Sequence, residues 1–407
     1  MSLVLVFSLN STTASLLDFC GAFPNELKNA FIINGRGLEK IISLEGDTMM
    51  NKAHALNKGD KVAIVSLSGG LLGEPFCAHD IVLGEKRLNE FGLEMIIMPN
   101  ALKGISYLRE HPEARAEDLK MAFEDPGIKA IICAIGGDDT YKLLPCLLDD
   151  KEFVESVQKH PKIFTGFSDS TVNHLMFYKL GLSSYYGPNL INDLAELADN
   201  MLPYTKDAFR RYLSDSHTDI VGASEYWYEE RTDFSPASIG TERKTHLETR
   251  GYELLQGEAV FSGELLGGCI DTLYDILVGD PTPDAKTVCD KYAIFPDRDE
   301  WTGKVMFIET SENCMRPERL EEFLTVIKDR GILDVISGII VGKPQNEVFY
   351  DEYKALYKSF LADYPELSVV YNINFGHAYP RMVLPYGMPV KIDMTKKEIQ
   401  YLTPIVK

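Results

Sequence analysis

Four apolar runs recur with helical patterns between them: Val62–Leu67 (VAIVSL), Leu93–Met98 (LEMIIM), Lys129–Ile135 (KAIICAI) and Ile163–Gly166 (IFTG). None alternates polar with apolar residues, so each reads as a strand covered on both faces. Helical spacing fills the gaps at Val82–Phe91, at Ala114–Phe123 before Asp125-Pro126-Gly127, and from Asp139 to Leu147. Buried strands alternating with helices predict an α/β fold with a parallel, doubly wound sheet. Ligand sites in such sheets lie at the carboxyl ends of strands. Here those ends carry Ser68-Gly69-Gly70, Gly136-Gly137-Asp138-Asp139 and Phe167-Ser168-Asp169.

The last of these ends is the most suggestive. The stretch KIFTGFSDSTVNHLMFY (162–178) reads as strand, tight turn, helix, with Ser168 at the apex. A serine there is exposed and fixed, and the helix N–H groups behind it can hold an oxyanion. The competing reading is that Ser168 or Asp169 is a helix N-cap, a common use of both residues. Gly-x-Ser-Asp lacks the second glycine of the usual nucleophile elbow, so the stretch alone leaves both readings open.

Length and charge bound the remaining possibilities. A chain of 407 residues is expected to hold two domains. A formal net charge of -20 disfavours nucleic-acid polymers and anionic membrane surfaces as partners. The seven cysteines include no C-x-x-C pair, which points to a reducing compartment rather than a disulfide framework. The N-terminus lacks the basic residues of a secretory signal and is too polar to span a bilayer, so a cytoplasmic protein is expected. Residues 1–48 read as an extension with little structure or an over-long translation start. A first domain is expected over 49–214. The irregular segment 215–250, with SEYWYEERTDF and Trp227, is expected to be a linker and active-site loop. A second domain follows over 251–407, in which Gly267-Gly268 is expected to open a helix.

A serine nucleophile needs a base and an orienting carboxylate. His174 lies six residues beyond Ser168, about 240° around the same helix, and faces elsewhere. His111, His160, His217 and His246 read as surface residues, and His54 and His79 have no informative setting. His377 follows a strand end in NFGHAYP. Glu309 ends the apolar strand VMFIE, where a carboxylate is costly unless paired. Glu312 is expected to be turned away by Thr310-Ser311 and solvated. Asp138-Asp139 reads as a helix cap rather than a metal pair. No zinc-site spacing, Walker A motif or full dinucleotide fingerprint is present, so no metal or cofactor is expected.

With these residues in place, the chain resembles the LD-carboxypeptidase and microcin C immunity family of serine peptidases. GDKVAIVSLSGG, AIGGDDTYKLLP, KIFTGFSDST, YYGPNL, GELLGGCIDTL, KVMFIET, GIIVGKP and NINFGHAYPRMVLPYG carry the resemblance in order. It implies a flavodoxin-like N-terminal domain, a smaller β-rich C-terminal domain and a homodimer. It also implies a triad of Ser168 (nucleophile), His377 (base) and Glu309 (orienting carboxylate), with Gly137 and Asp169 N–H groups as the oxyanion hole. The arginine of the murein-cleaving subgroup's loop is absent from Ile135-Gly136-Gly137-Asp138-Asp139. The longer loop with Trp227 resembles the immunity-type members, which cleave an aminoacyl group from a modified nucleotide. On that reading Asp138, Asp139 and Trp227 bind substrate, and Trp227 either stacks on a base or packs the loop. The alternatives are an LD-carboxypeptidase acting on murein tetrapeptide and a non-catalytic nucleotide- or peptide-binding module.

Overall fold

Side chains of Val62, Ala63, Ile64 and Val65 all lie fully buried, on both faces of one strand. This is the first sheet's central feature in the computed structural model, which describes residues 50–214 and 219–407. The expected extension 1–48 and His217 lie outside the described residues. Strands β1 (Lys61–Val65), β2 (Glu94–Ile97), β3 (Ile128–Cys133), β4 (Ile163–Gly166) and β5 (Tyr185–Tyr186) are all parallel where they pair. Their order is β2-β1-β3-β4-β5, the flavodoxin-like order. Each fully buried Val, Leu or Ile contributes roughly 1.5–3 kcal/mol, so this stretch alone anchors the sheet. The helices expected between the strands form, and a further one that was not expected, Lys151–Lys159, shows how such a helix begins: the Asp150 carboxylate accepts from the N–H groups of Glu152 and Phe153.

A second sheet is built from β6 (Ile220–Gly222), β9 (Glu253–Gln256), β10 (Val260–Cys269), β11 (Val305–Glu309), β12 (Gly338–Gly342), β13 (Ser368–Ile373), β15 (Pro389–Asp393) and β16 (Glu398–Tyr401). Its order is β6-β16-β15-β10-β11-β12-β13-β9. Strands β7 (Tyr226–Tyr228) and β8 (Thr245–Leu247) form a separate hairpin. The short β14 (Leu384–Pro385) leaves the second half of the chain and pairs antiparallel with β5, completing the first sheet. No helix among the described residues is long and apolar enough to cross a membrane.

One local expectation is corrected. Gly267-Gly268 does not open a helix; β10 runs through both glycines, and the helix starts at Ile270. The pair serves close approach instead. A Cβ on Gly267 would lie 1.7 Å from the Phe307 carbonyl oxygen, and one on Gly268 would lie 2.3 Å from the Thr171 side chain. The glycines therefore let β10 press against β11 and against the helix that follows Ser168.

Candidate active site

Ser168 sits between β4 and the helix Thr171–Lys179 with φ of 65°, a conformation that costs a non-glycine residue about 1–3 kcal/mol. Three hydrogen bonds fasten this turn. The Ser168 N–H donates to the Tyr186 hydroxyl at 3.0 Å. The Thr171 hydroxyl donates to the Ser168 carbonyl at 2.7 Å and accepts from the Cys269 N–H at 3.0 Å. The turn is thus tied to β5 and to the end of β10.

The carboxyl ends of β11 and β13 bring two further groups to this point. His377 Nε2 lies 3.1 Å from Ser168 Oγ, and His377 Nδ1 lies 2.8 Å from Glu309 Oε2. The same Glu309 oxygen accepts the His377 N–H at 3.1 Å. Its other oxygen accepts from the Tyr186 hydroxyl at 2.5 Å. Glu309 is 1% exposed, so each of these bonds forms away from water. Gly376, with φ of 79°, leaves room for the carboxylate, since a Cβ there would come within 2.4 Å of it.

The imidazole is held from its other sides too. The Phe167 ring meets it edge-on at 5.0 Å. Arg381 lies 4.2 Å from the centre of that ring and is fixed by two bonds to Asp193, at 2.9 and 2.8 Å. Burial alone would lower the His377 pKa, but the Glu309 and Glu312 carboxylates outweigh it and push it up to about 10.

Glu312 departs from expectation. Its side chain is 61% exposed, yet Oε2 lies 3.0 Å from His377 Nε2. The turn fails to aim it away because the Ser311 N–H is pinned to the Asp271 carboxylate, which bends the chain back toward the imidazole.

Ser168, Gly137 and Glu312 line two cavities at once. The first, of about 290 Å³, also carries Asp138, Asp169, Asp271 and Asp275. The second, of about 400 Å³, carries Phe167, Phe234, Tyr379 and Arg381. Asp139 faces neither: burial would raise its pKa, but Arg115 at 2.5 Å and Lys142 at 3.0 Å hold it below the usual range. Trp227 does not line either cavity; on β7 its ring stacks on His246 at 4.1 Å, with the Lys343 ammonium 4.9 Å from it. Burial pushes the Asp169 carboxyl up to about 6, and it accepts the Thr140 N–H at 2.9 Å. His174 is buried and lowered to about 4 by burial, and it lies between Ser184 and the Gly166 carbonyl, away from Ser168.

Cys269, Glu309 and His377 each place one donor atom within 4.8 Å of the others, the one such cluster among the described residues. Burial, with Glu309 nearby, pushes the Cys269 thiol far up, so it stays protonated. Glu309 and His377 already satisfy each other, and the cluster does not suit a cation.

Two residues here escaped the sequence reading. Tyr186 bonds both the Ser168 backbone and Glu309, but in Ser184-Tyr185-Tyr186-Gly187 it looked like one more core aromatic. Phe234 closes the loop stretch SEYWYEERTDF and was passed over for Trp227. Tyr186→Phe is expected to lower kcat about 10-fold with little change in KM, since one charge-assisted bond to Glu309 is lost. Steady-state kinetics beside an unchanged far-UV spectrum would check this.

Comparison with known proteins agrees with this architecture. Residues 62–187 match the LD-carboxypeptidase N-terminal domain and residues 262–392 the LD-carboxypeptidase C-terminal domain. The chain is 28% identical to the probable murein peptide carboxypeptidase of Bacillus subtilis (strain 168), over 85% of this chain and 92% of that one. It is 26% identical to the microcin C7 self-immunity protein MccF of Escherichia coli, over 71% of this chain and 79% of that one. Among solved structures, an MccF-like protein from Streptococcus pneumoniae in complex with AMP is 44% identical, with a TM-score of 0.80 over 84% of this chain and 98% of that one. The chain therefore belongs to the peptidase S66 (LD-carboxypeptidase) family and is a serine-type carboxypeptidase or amide hydrolase.

Proposed function

We propose that this protein hydrolyses the amide between an aminoacyl group and a modified nucleotide. The observation that carries this reading is that Ser168 opens into two cavities at once. The acidic cavity suits an aminoacyl group, with Asp138 on its wall. The cavity with Phe234 and Tyr379 suits a nucleotide. The AMP held by the Streptococcus pneumoniae relative supports that division. Ser168 Oγ attacks the carbonyl carbon while His377 takes its proton. Glu309 holds the imidazole in the required tautomer and offsets the charge that forms on it. The backbone N–H groups of Gly137 and Asp169 stabilise the oxyanion. The C–N bond then breaks, His377 protonates the departing nitrogen, and water releases the acyl group from Ser168. We also infer that the protein works in the cytoplasm as a homodimer.

Similarity along most of the chain to a murein peptide carboxypeptidase favours a second reading, removal of the terminal D-amino acid from murein tetrapeptide. Incubation with an aminoacyl sulfamoyl adenosine and with murein tetrapeptide, each beside Ser168→Ala, separates the two. Turnover of the first substrate alone is expected. Turnover of the tetrapeptide alone would establish the second reading, and turnover of neither would point to a non-catalytic binding module.

A further inference from the structure

The contact between Glu312 and His377 plays no part in the steps above and conflicts with them. Nε2 lies 3.0 Å from Glu312 Oε2 and 3.1 Å from Ser168 Oγ. One nitrogen cannot donate a proton to a carboxylate and accept one from a hydroxyl. With both ring nitrogens protonated, Nδ1–H serves Glu309, Nε2–H serves Glu312, and Ser168 is left without a base. The charged and titratable groups around the ring favour that state. Glu309 and Glu312 are bonded to it; the Cys269 thiol and Tyr186 phenol have pKa values raised, first by burial and then by Glu309, so both stay neutral. Arg381 is paired with Asp193, and Tyr379 is neutral with its pKa raised to about 12 by burial.

The neighbouring cavity shows what could draw Glu312 off. Its wall carries Asp138, Asp271 and Asp275 besides Glu312. Its one arginine, Arg319, is bonded to Asp280 at 2.9 Å and Glu322 at 3.3 Å. Burial, then Asp271, pushes Asp275 up to about 6, as expected where carboxylates crowd. An acyl group bearing a carboxylate is repelled here, and one bearing a cation is attracted. In a reactive geometry the carbonyl carbon stands about 3 Å from Oγ, so a substituent one carbon further on reaches the Glu312 carboxylate.

We infer that Glu312 is a gate on the site: its carboxylate holds His377 in the free protein and leaves it for the ammonium of an acyl group with a free amine beside the scissile carbonyl. The inference rests on the Ser168–His377 chemistry proposed above. Binding the right substrate then frees Nε2 for Ser168, so recognition and activation are one event.

Labelling of Ser168 by a fluorophosphonate probe tests the gate without assuming any substrate. Wild type, Glu312→Gln and Glu312→Asp are compared from pH 5 to 10 by intact-protein mass. Removing one opposite charge in contact with an imidazole moves its pKa by about 1–3 units. Glu312→Gln should therefore label about tenfold faster or more at neutral pH, with its midpoint at lower pH, and Glu312→Asp should fall between. A second arm uses two amide substrates that differ only in acetylation of that amine. Wild type should favour the free amine severalfold in kcat/KM, and Glu312→Gln should lose that preference. Equal labelling profiles, or an amine preference that survives in Glu312→Gln, would overturn the gate alone. No labelling of any variant at any pH would overturn the serine chemistry and the gate together.

Discussion

Ser168→Ala is expected to reduce turnover by about 10⁶-fold, the scale at which loss of a serine nucleophile removes covalent catalysis. The effect should fall on kcat, because both cavities and the backbone donors beside residue 168 remain. The fold should not suffer. Tyr186 and Thr171 fasten this turn through its main chain, whereas among the described residues Oγ hydrogen-bonds only to His377. Single-turnover assays with thermal melts check both halves of the expectation. A variant retaining more than about a hundredth of the activity would mean that another group makes the attack.

Glu309→Gln has the next largest expected effect, a fall in kcat of about 10⁴-fold. The amide keeps the shape of the side chain but removes the charge that opposes a forming imidazolium. It also disrupts an acceptor that receives the Tyr186 hydroxyl, the His377 N–H and His377 Nδ1. Stability offers a second readout. His377 is raised in the folded state from an ordinary 6.5 to about 10 by the two carboxylates. Its contribution is therefore complete below about pH 6.5 and is lost as pH climbs toward 10. Urea midpoints of wild type should decline over that range, and those of Glu309→Gln should decline less. Parallel curves would mean that the Glu309–His377 pair adds nothing to folding.

How far the chain could be read in advance depended on the kind of signal. Strands β1, β3 and β4 were legible because burial on both faces leaves an unbroken apolar run, which little else produces. Strand β2 was legible by the same pattern but was expected to be covered on both faces, whereas it lies at the sheet edge with Glu94 exposed and Met95, Ile96 and Ile97 half-buried. The meeting of Ser168, Glu309 and His377 was not legible from any one segment. Each lies at or just past a strand end and each alone has a commoner use; only the ordered series of motifs pointed to their convergence. Gly267-Gly268 was misread because glycine pairs usually punctuate, while here they admit Phe307 and Thr171. Glu312 was misread because sequence shows a turn but not its direction, which the Ser311–Asp271 bond decides. Tyr186 was hidden because a buried tyrosine looks the same in sequence whether its hydroxyl is idle or shared between two partners.

The two-residue strand Leu384–Pro385 has a consequence for how the molecule would respond to a protease. It stitches a late part of the polypeptide to Tyr185 and Tyr186, while Ile220–Gly222 is stitched to Glu398–Gln400. A cut at the exposed residues 235–237 would sever the covalent thread without parting the pieces. Each fragment would still be clasped by the other, and the serine would keep its histidine across the break.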